Sequence, residues 1–182
     1  MKRFSLSILC LCIFMVAARA QDSEYKSAIG GRLSTGYYEL LSASYKTFIT
    51  EKGAIELDLG FRPRTYNYPG DKINWVTLAF SAAYQHHFPI QPVPGLQWYI
   101  GGGLTAYNSF SDDDHYTGFG LGIFPTGGID YKFGNIPLNL SADFRPTFSL
   151  VDPYDSDDPY HYNGYNSFNG GNVGVSVRYT FR

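Results

Sequence analysis

The chain has 182 residues, 44% of them hydrophobic and 18% aromatic, with 14 basic and 16 acidic side chains and a formal net charge of −2. That length allows one domain, and an acidic balance argues against nucleic acid as a partner, whose footprint is a basic stripe. Both cysteines, Cys10 and Cys12, lie among the first twenty residues, so the rest is neither a disulfide scaffold nor a thiol enzyme.

Residues 1–20 read as a secretory signal peptide. Lys2 and Arg3 form a basic start, Phe4 to Val16 an apolar run, and Ala18-Arg19-Ala20 a small-x-small cleavage site before Gln21. The apolar run is too short to cross about 30 Å of hydrocarbon, and its cysteines sit inside it, which is wrong for a lipoprotein. Taking Lys2, Arg3 and Arg19 from the 14 basic residues leaves 11 against 16 acidic, a net −5 for the mature domain, 21–182. That domain has no stretch of 18 consecutive apolar residues, so it has no transmembrane helix. An exported chain can still cross a membrane as a closed β-barrel, because closure pairs every backbone group. Gly 20, Tyr 16 and Phe 14 are high counts and fit strands, aromatic girdles and tight turns.

The remaining chain divides into segments with a period of two. Strand 1 is Tyr25 to Thr35, followed by a tight connection, Gly36 to Leu40. Strand 2, Leu41 to Ile49, turns at Glu51-Lys52-Gly53, where Gly53 is expected at positive φ. In strand 3, Ile55, Leu57, Leu59 and Phe61 alternate with Glu56, Asp58, Gly60 and Arg62, and Pro63 marks its end. Asn67 to Lys72 is a turn. Strand 4 runs from Trp75 to Phe88 and the proline-rich Pro89–Gly95 connects it to strand 5, Leu96 to Tyr107. Ser109 to Tyr116 is an acidic loop. Strand 6 is Gly118 to Lys132, with a bulge or bend expected at Pro125 and Gly127-Gly128. Phe133 to Ile136 turns into strand 7, where Leu138, Leu140, Ala142, Phe144, Phe148 and Leu150 alternate with Asn139, Ser141, Asp143, Arg145, Thr147 and Ser149. After a long loop, Val151–Gly170, the last strand places Val173, Val175, Val177, Tyr179 and Phe181 on one face, and Gly174, Ser176, Arg178 and Thr180 on the other.

These are eight strands, and even numbers are the rule for bacterial single-chain barrels. The even-numbered connections are short and most of the odd-numbered ones long, the asymmetry of short periplasmic turns and longer outer loops. The fold class expected is therefore all-β: an eight-stranded antiparallel up-and-down transmembrane β-barrel. The stretches Asn135–Leu150 (NIPLNLSADFRPTFSL) and Gly170–Phe181 (GGNVGVSVRYTF) resemble the small outer-membrane β-barrels of Gram-negative bacteria, of the OmpA/OmpX type. Ser44–Arg62 and Gly95–Gly103 carry the resemblance more weakly. It implies a place in the bacterial outer membrane, contact with its lipid and lipopolysaccharide, and passage through the barrel-assembly machinery. That machinery reads a terminal aromatic residue in such families; here Tyr179 and Phe181 are the candidates, with Arg182 following. The resemblance implies no one activity.

Parity puts Arg32, Lys46, Glu56, Asp58, Arg62, Asp130, Lys132, Asp143, Arg145 and Arg178 on the inward face. An eight-stranded barrel is just wide enough for side chains to fill, so these charges are expected to pair as a plug. Asp143→Ala or Arg145→Ala should then weaken the barrel more than any loop substitution. The sharper reading is a proton or ion path. The acidic loops, Asp112–Asp114 with His115 and Asp152–Asp158 with His161, lack the spacing and closing Glu of a calcium loop. No metal or cofactor is expected. A hydrolase would need Ser, His and a carboxylate converging at one end; Ser81 and His87 share a strand but lie too far apart. Tyr154, Tyr160, Tyr162 and Tyr165 are surface-contact or headgroup candidates. Three functions are carried forward: a non-enzymatic structural or surface-interacting barrel with a filled lumen, a conduit for small or apolar molecules of the OmpW kind, and a soluble lipocalin-like binding barrel. The lipocalin requires the opposite parity, apolar inside and polar outside.

Overall fold

The computed structural model describes residues 25–68, 71–111, 117–151 and 168–181. Ten antiparallel segments make eight staves. The first six are β1 (Ser27–Ser34), β2 (Leu41–Phe48), β3 (Gly53–Tyr68), β4 (Asp71–Pro89), β5 (Leu96–Ser111) and β6 (Gly118–Lys132). The seventh is β7 (Leu138–Phe144) with β8 (Thr147–Val151), and the eighth is β9 (Phe168–Asn169) with β10 (Val173–Phe181). Each stave pairs with the next in sequence, and β10 pairs with β1, so the sheet closes on itself. The chain is thus a closed eight-stranded antiparallel up-and-down β-barrel, which leaves no lateral edge around its waist.

The apolar residues face outward. Across the closing seam Ile29 lies between Tyr179 and Tyr45, and Leu33 between Val175 and Leu41, all of them exposed. Leu59 and Leu104, in the middle of their staves, are 62% and 63% exposed. Aromatic residues collect at both ends of this belt. Tyr45, Tyr84, Trp98 and Tyr179 lie toward the end with the short turns, where Trp98 stacks on Phe88 at 4.4 Å. Phe61, Phe110, Phe119 and Phe148 lie toward the loop end. Two aromatic girdles flanking an aliphatic band are what a barrel meets at the two faces of a bilayer. Inside, the polarity is inverted. Arg32, Lys46, Glu56 and Gln85 are 0% exposed, and the one apolar cluster among the described residues is Tyr38, Ala79 and Tyr107 at the loop end. The lipocalin-like reading fails on this arrangement, because leucines and valines are on the outside and ionic groups on the inside.

Several expectations need correction. β3 and β4 run past the expected turn to Tyr68 and from Asp71, making a hairpin that overshoots the barrel. Pro63 is therefore inside β3, opposite Val76. It is tolerated because β2 ends level with Phe61, whose carbonyl accepts from Leu40 N–H at 3.0 Å. Alternate residues point their backbone groups to the same side, so the missing N–H of Pro63 faces an edge with no neighbour there. Gly53 is not at positive φ; among the described residues the one glycine that is, at 78°, is Gly95, in the turn before β5. Gly53 instead makes room, since a Cβ there would lie 2.7 Å from Thr50 Oγ1 and 2.8 Å from the Tyr84 hydroxyl.

The irregularity expected in β6 is found mainly in its neighbour. β6 pairs with β5 without interruption from Ser109↔Gly118 to Leu96↔Tyr131. On its other side the pairs Gly127↔Phe144 and Ile123↔Phe148 place Pro125 opposite Pro146. Two prolines supply no N–H to the ladder, and the seventh stave breaks there, between β7 and β8. A register shift follows at Leu121/Gly122. The inward–outward alternation continues through the break, with Asp143, Arg145 and Thr147 all buried.

Candidate functional site

The interior of the barrel is the candidate site. In a ring of eight staves, those four apart face each other across the lumen, and three sets of side chains span that diameter. Near the turn end, Lys46 on the second stave donates to Asp130 Oδ2 on the sixth at 2.7 Å. Asn139 Nδ2 donates to the other oxygen of Asp130 at 2.6 Å, and the Tyr25 hydroxyl lies 3.4 Å from both. At mid-height, Arg145 on the seventh stave reaches Asp58 Oδ2 and Glu56 Oε1 on the third, each at 2.6 Å. At the loop end, Tyr38, from the connection between β1 and β2, stacks on Tyr107 of the fifth stave with ring centroids 3.5 Å apart. Its hydroxyl meets Ser149 Oγ on β8 at 3.1 Å.

Shorter spans fill the gaps. Arg178 shares Glu56 Oε1 with Arg145, at 2.6 Å, and donates to Ser44 and Ser141 at 2.9 and 2.8 Å. Gln85 Nε2 donates to the second Glu56 oxygen at 2.7 Å. Arg32 grips Asp143 with two nitrogens, Nε at 3.1 Å and Nη2 at 2.6 Å, and turns its third to Glu39 at 2.5 Å. Arg145 Nε lies 3.0 Å from Asp143 Oδ1, which ties this upper group to the middle one. Each arginine thus spreads its fork over two or more partners, the geometry that makes charge-assisted pairs strong. Rings back the cations: Lys46 Nζ sits 4.8 Å from the Tyr99 centroid and the Arg145 guanidinium 5.7 Å from that of Phe124.

Glycine positions shape this packing. A Cβ on Gly174 would lie 2.4 Å from Arg32 Nη2, and one on Gly120 would lie 2.2 Å from the Tyr107 ring. Both inward faces are vacated for a large neighbour. Gly174→Val should therefore push Arg32 off Asp143 and lower the urea midpoint of the folded barrel in micelles, since forcing atoms into a filled interior costs about 1–3 kcal/mol. An unchanged midpoint would show that the guanidinium has somewhere else to go.

Of the ten charged residues expected inward, eight are buried: Arg32, Lys46, Glu56, Asp58, Asp130, Asp143, Arg145 and Arg178. The other two keep the inward parity but lie at the rims and are less buried. Arg62 is half-buried at the loop-end rim, where it donates to the Gly36 carbonyl at 2.7 Å. Lys132 is half-buried at the turn-end rim and donates to the carbonyls of Phe133 and Ile136. Strand parity fixes the face a residue is on but not its height along the axis. Glu39, Gln85, Asn139, Tyr99, Tyr107 and His87 are further lumen residues outside that set of ten charges. Gln85 and Asn139 are on the inward face that the strand alternation indicates, and Tyr99, Tyr107 and His87 sit at inward positions of β4 and β5; Glu39 comes from a connection, which has no parity. Tyr179 and Phe181 are exposed on the outer face near the turn end, their rings 5.1 Å apart. Tyr154, Tyr160, Tyr162, Tyr165 and both acidic loop runs with His115 and His161 lie outside the described residues. Ser81 donates to Thr105 Oγ1 at 3.0 Å, a pairing of hydroxyls with no nucleophile–base geometry. Among the described residues no group of three or more His, Cys, Asp or Glu side chains is arranged to hold a metal ion.

A closed barrel with lipid-like residues outside and ion pairs across its axis is a membrane-spanning β-barrel of the smallest kind. Among solved structures the chain is similar to Neisserial surface protein A, at 15% identity with a TM-score of 0.48, covering 85% of this chain and 94% of that one. It is also similar to two Acinetobacter baumannii proteins. CarO2 is 11% identical with a TM-score of 0.41, covering 87% of this chain and 100% of that one. CarO is 9% identical with a TM-score of 0.40, covering 85% and 98%. No family model and no curated protein matches the chain.

Proposed function

We propose that the chain is a non-enzymatic integral barrel of the bacterial outer membrane, with a structural or surface-interacting role and a lumen closed to solutes. The observation that carries this reading is the set of contacts across the full diameter at three heights: Lys46–Asp130, Arg145 with Glu56 and Asp58, and Tyr38–Tyr107. A conduit would need all three to part. Buried pairs resist parting, because each separated ion loses its only compensation in a medium without bulk water. The partners this reading calls for are the outer-membrane lipid and lipopolysaccharide around the apolar belt, and the barrel-assembly machinery, which would read Tyr179 and Phe181.

Two measurements test it. After sucrose-gradient separation of the envelope, the protein is expected with the outer membrane and to shift its gel mobility on boiling. In planar bilayers the purified barrel is expected to give no stepwise ion current. Recovery in the soluble periplasmic fraction would remove the membrane assignment, and regular open-channel steps would favour the OmpW-like conduit instead.

A further inference from the structure

Five arginines lie among the described residues, and two of them stand apart. Arg32, Arg145 and Arg178 each hold a carboxylate oxygen at 2.6 Å. Arg62 and Arg64 hold none among the described residues. They sit two positions apart on β3, so their Cα atoms are about 7 Å apart on one face. Both are half-buried while Phe61, Pro63 and Thr65 between and beside them are exposed, so that face looks over the mouth of the barrel. Two consecutive carbonyls of the β1–β2 connection pin them there. Arg62 Nη1 donates to the Gly36 carbonyl at 2.7 Å and Arg64 Nη2 to that of Tyr37 at 2.8 Å. The Tyr37 ring covers the flat side of the Arg64 guanidinium at 3.7 Å. The one carboxylate of this connection, Glu39, is committed to Arg32.

The pinning leaves donors over. Arg62 Nη2 and Arg64 Nε and Nη1 make no hydrogen bond among the described residues and stay open to solvent, while Arg62 Nε is closed off and bonds to nothing. Burial, and then the neighbouring Arg64 charge, push the Arg62 guanidinium below its usual pKa. Two like charges held side by side, one of them partly stripped of water, are unfavourable when no anion is present. An anion between the forks relieves both penalties, and guanidinium forks match the oxygens of phosphate in pairs. We propose that Arg62 and Arg64 form a phosphate-binding site over the loop-end mouth of the barrel. The site deepens the surface-interacting reading and rests on it for placing the loop end outside the cell. Because both side chains point over the axis, a soluble phosphate compound fits better than the phosphates of lipopolysaccharide, which lie around the outer wall.

The test is calorimetric titration of the full mature protein in micelles, at low salt, with inorganic pyrophosphate as the probe. Wild type is expected to show saturable binding. Arg62→Gln with Arg64→Gln, scored as folded by heat-shifted gel mobility, is expected to weaken it by about tenfold or more, since both charged forks are gone. Arg64→Lys keeps the charge without the fork and is expected to bind more weakly than wild type; it decides the matter if the double variant does not fold. Lys52→Gln, in the turn at the other end of the barrel, is expected to bind as wild type does. No saturable binding by wild type, or equal binding by the folded double variant, overturns the site. Lipopolysaccharide added to the loaded protein is expected to leave the pyrophosphate bound. Displacement by lipopolysaccharide but not by its dephosphorylated form would overturn the soluble source and assign the site to the lipid. These outcomes are read on purified protein, so they are distinguishable from a failure of the membrane assignment, which fractionation of the envelope reads.

Discussion

Arg145→Ala should be the most damaging single substitution inside the barrel, lowering its stability by about 3–5 kcal/mol, the usual cost of removing one partner from a buried ion pair. The reason is the number of groups it leaves behind. Arg145 is the cation within 3.0 Å of three carboxylates, those of Glu56, Asp58 and Asp143, and it is 1% exposed. Arg178 still holds Glu56 and Arg32 still holds Asp143 after the change, but Asp58 keeps no ion pair among the described residues. Arg145→Lys should recover only part of the loss. A single ammonium restores the charge but cannot reach two staves' worth of oxygens with fixed fork geometry. Urea unfolding of the purified protein in micelles, followed by Trp75 and Trp98 fluorescence, measures this directly. As a control, Arg64→Ala at the loop-end rim, where the guanidinium covers the Tyr37 ring at 3.7 Å and donates to the Tyr37 carbonyl, should cost about 1 kcal/mol or less, as exposed charged contacts do. Equal losses at the two sites would mean that the central cluster contributes nothing special to the barrel.

The parts of this structure that the sequence reveals are those where the environment alternates between lipid and lumen. β6 has the bounds that its period-two pattern indicates, Gly118–Lys132, and Leu138 to Leu150 keeps its alternation even through the break at Pro146. The pattern fails where that contrast fades. Beyond Phe61 the residues Arg62, Pro63, Arg64 and Thr65 carry no alternation of apolar and polar side chains, so the extension of β3 to Tyr68 has no visible period. The ionic plug is half legible for a related reason. Parity sends side chains inward but says nothing of which stave lies opposite, and the pairs across the diameter join residues 84 to 89 positions apart. The lid is hidden altogether: Tyr38 and Glu39 belong to a connection that folds over the mouth, and only the closed ring shows that Tyr107 stands across from it.

Leu59→Arg should separate a membrane barrel from every soluble alternative. Leu59 is 62% exposed, lies mid-stave between Ala43 on β2 and Phe80 on β4, and points away from the lumen. In water, replacing an exposed leucine with arginine is close to neutral, within about 0.5 kcal/mol for a surface site with no special role. In a bilayer the same change places a guanidinium in hydrocarbon, at a cost of about 2–4 kcal/mol near the midplane of a barrel, less toward the interface. Refolding into lipid vesicles across a urea series reads the difference, with Lys52→Arg in the β2–β3 turn as a neutral partner. A loss of that size in vesicles fits the outward leucines being solvated by lipid tails. No loss would mean that Leu59 faces water, and then the inverted polarity of the whole barrel would need another explanation, such as a protein sheath around its waist. The same substitution at inward Asp58 would test nothing of the kind, because there the arginine would meet Arg145 and fail by like-charge repulsion whatever surrounds the barrel.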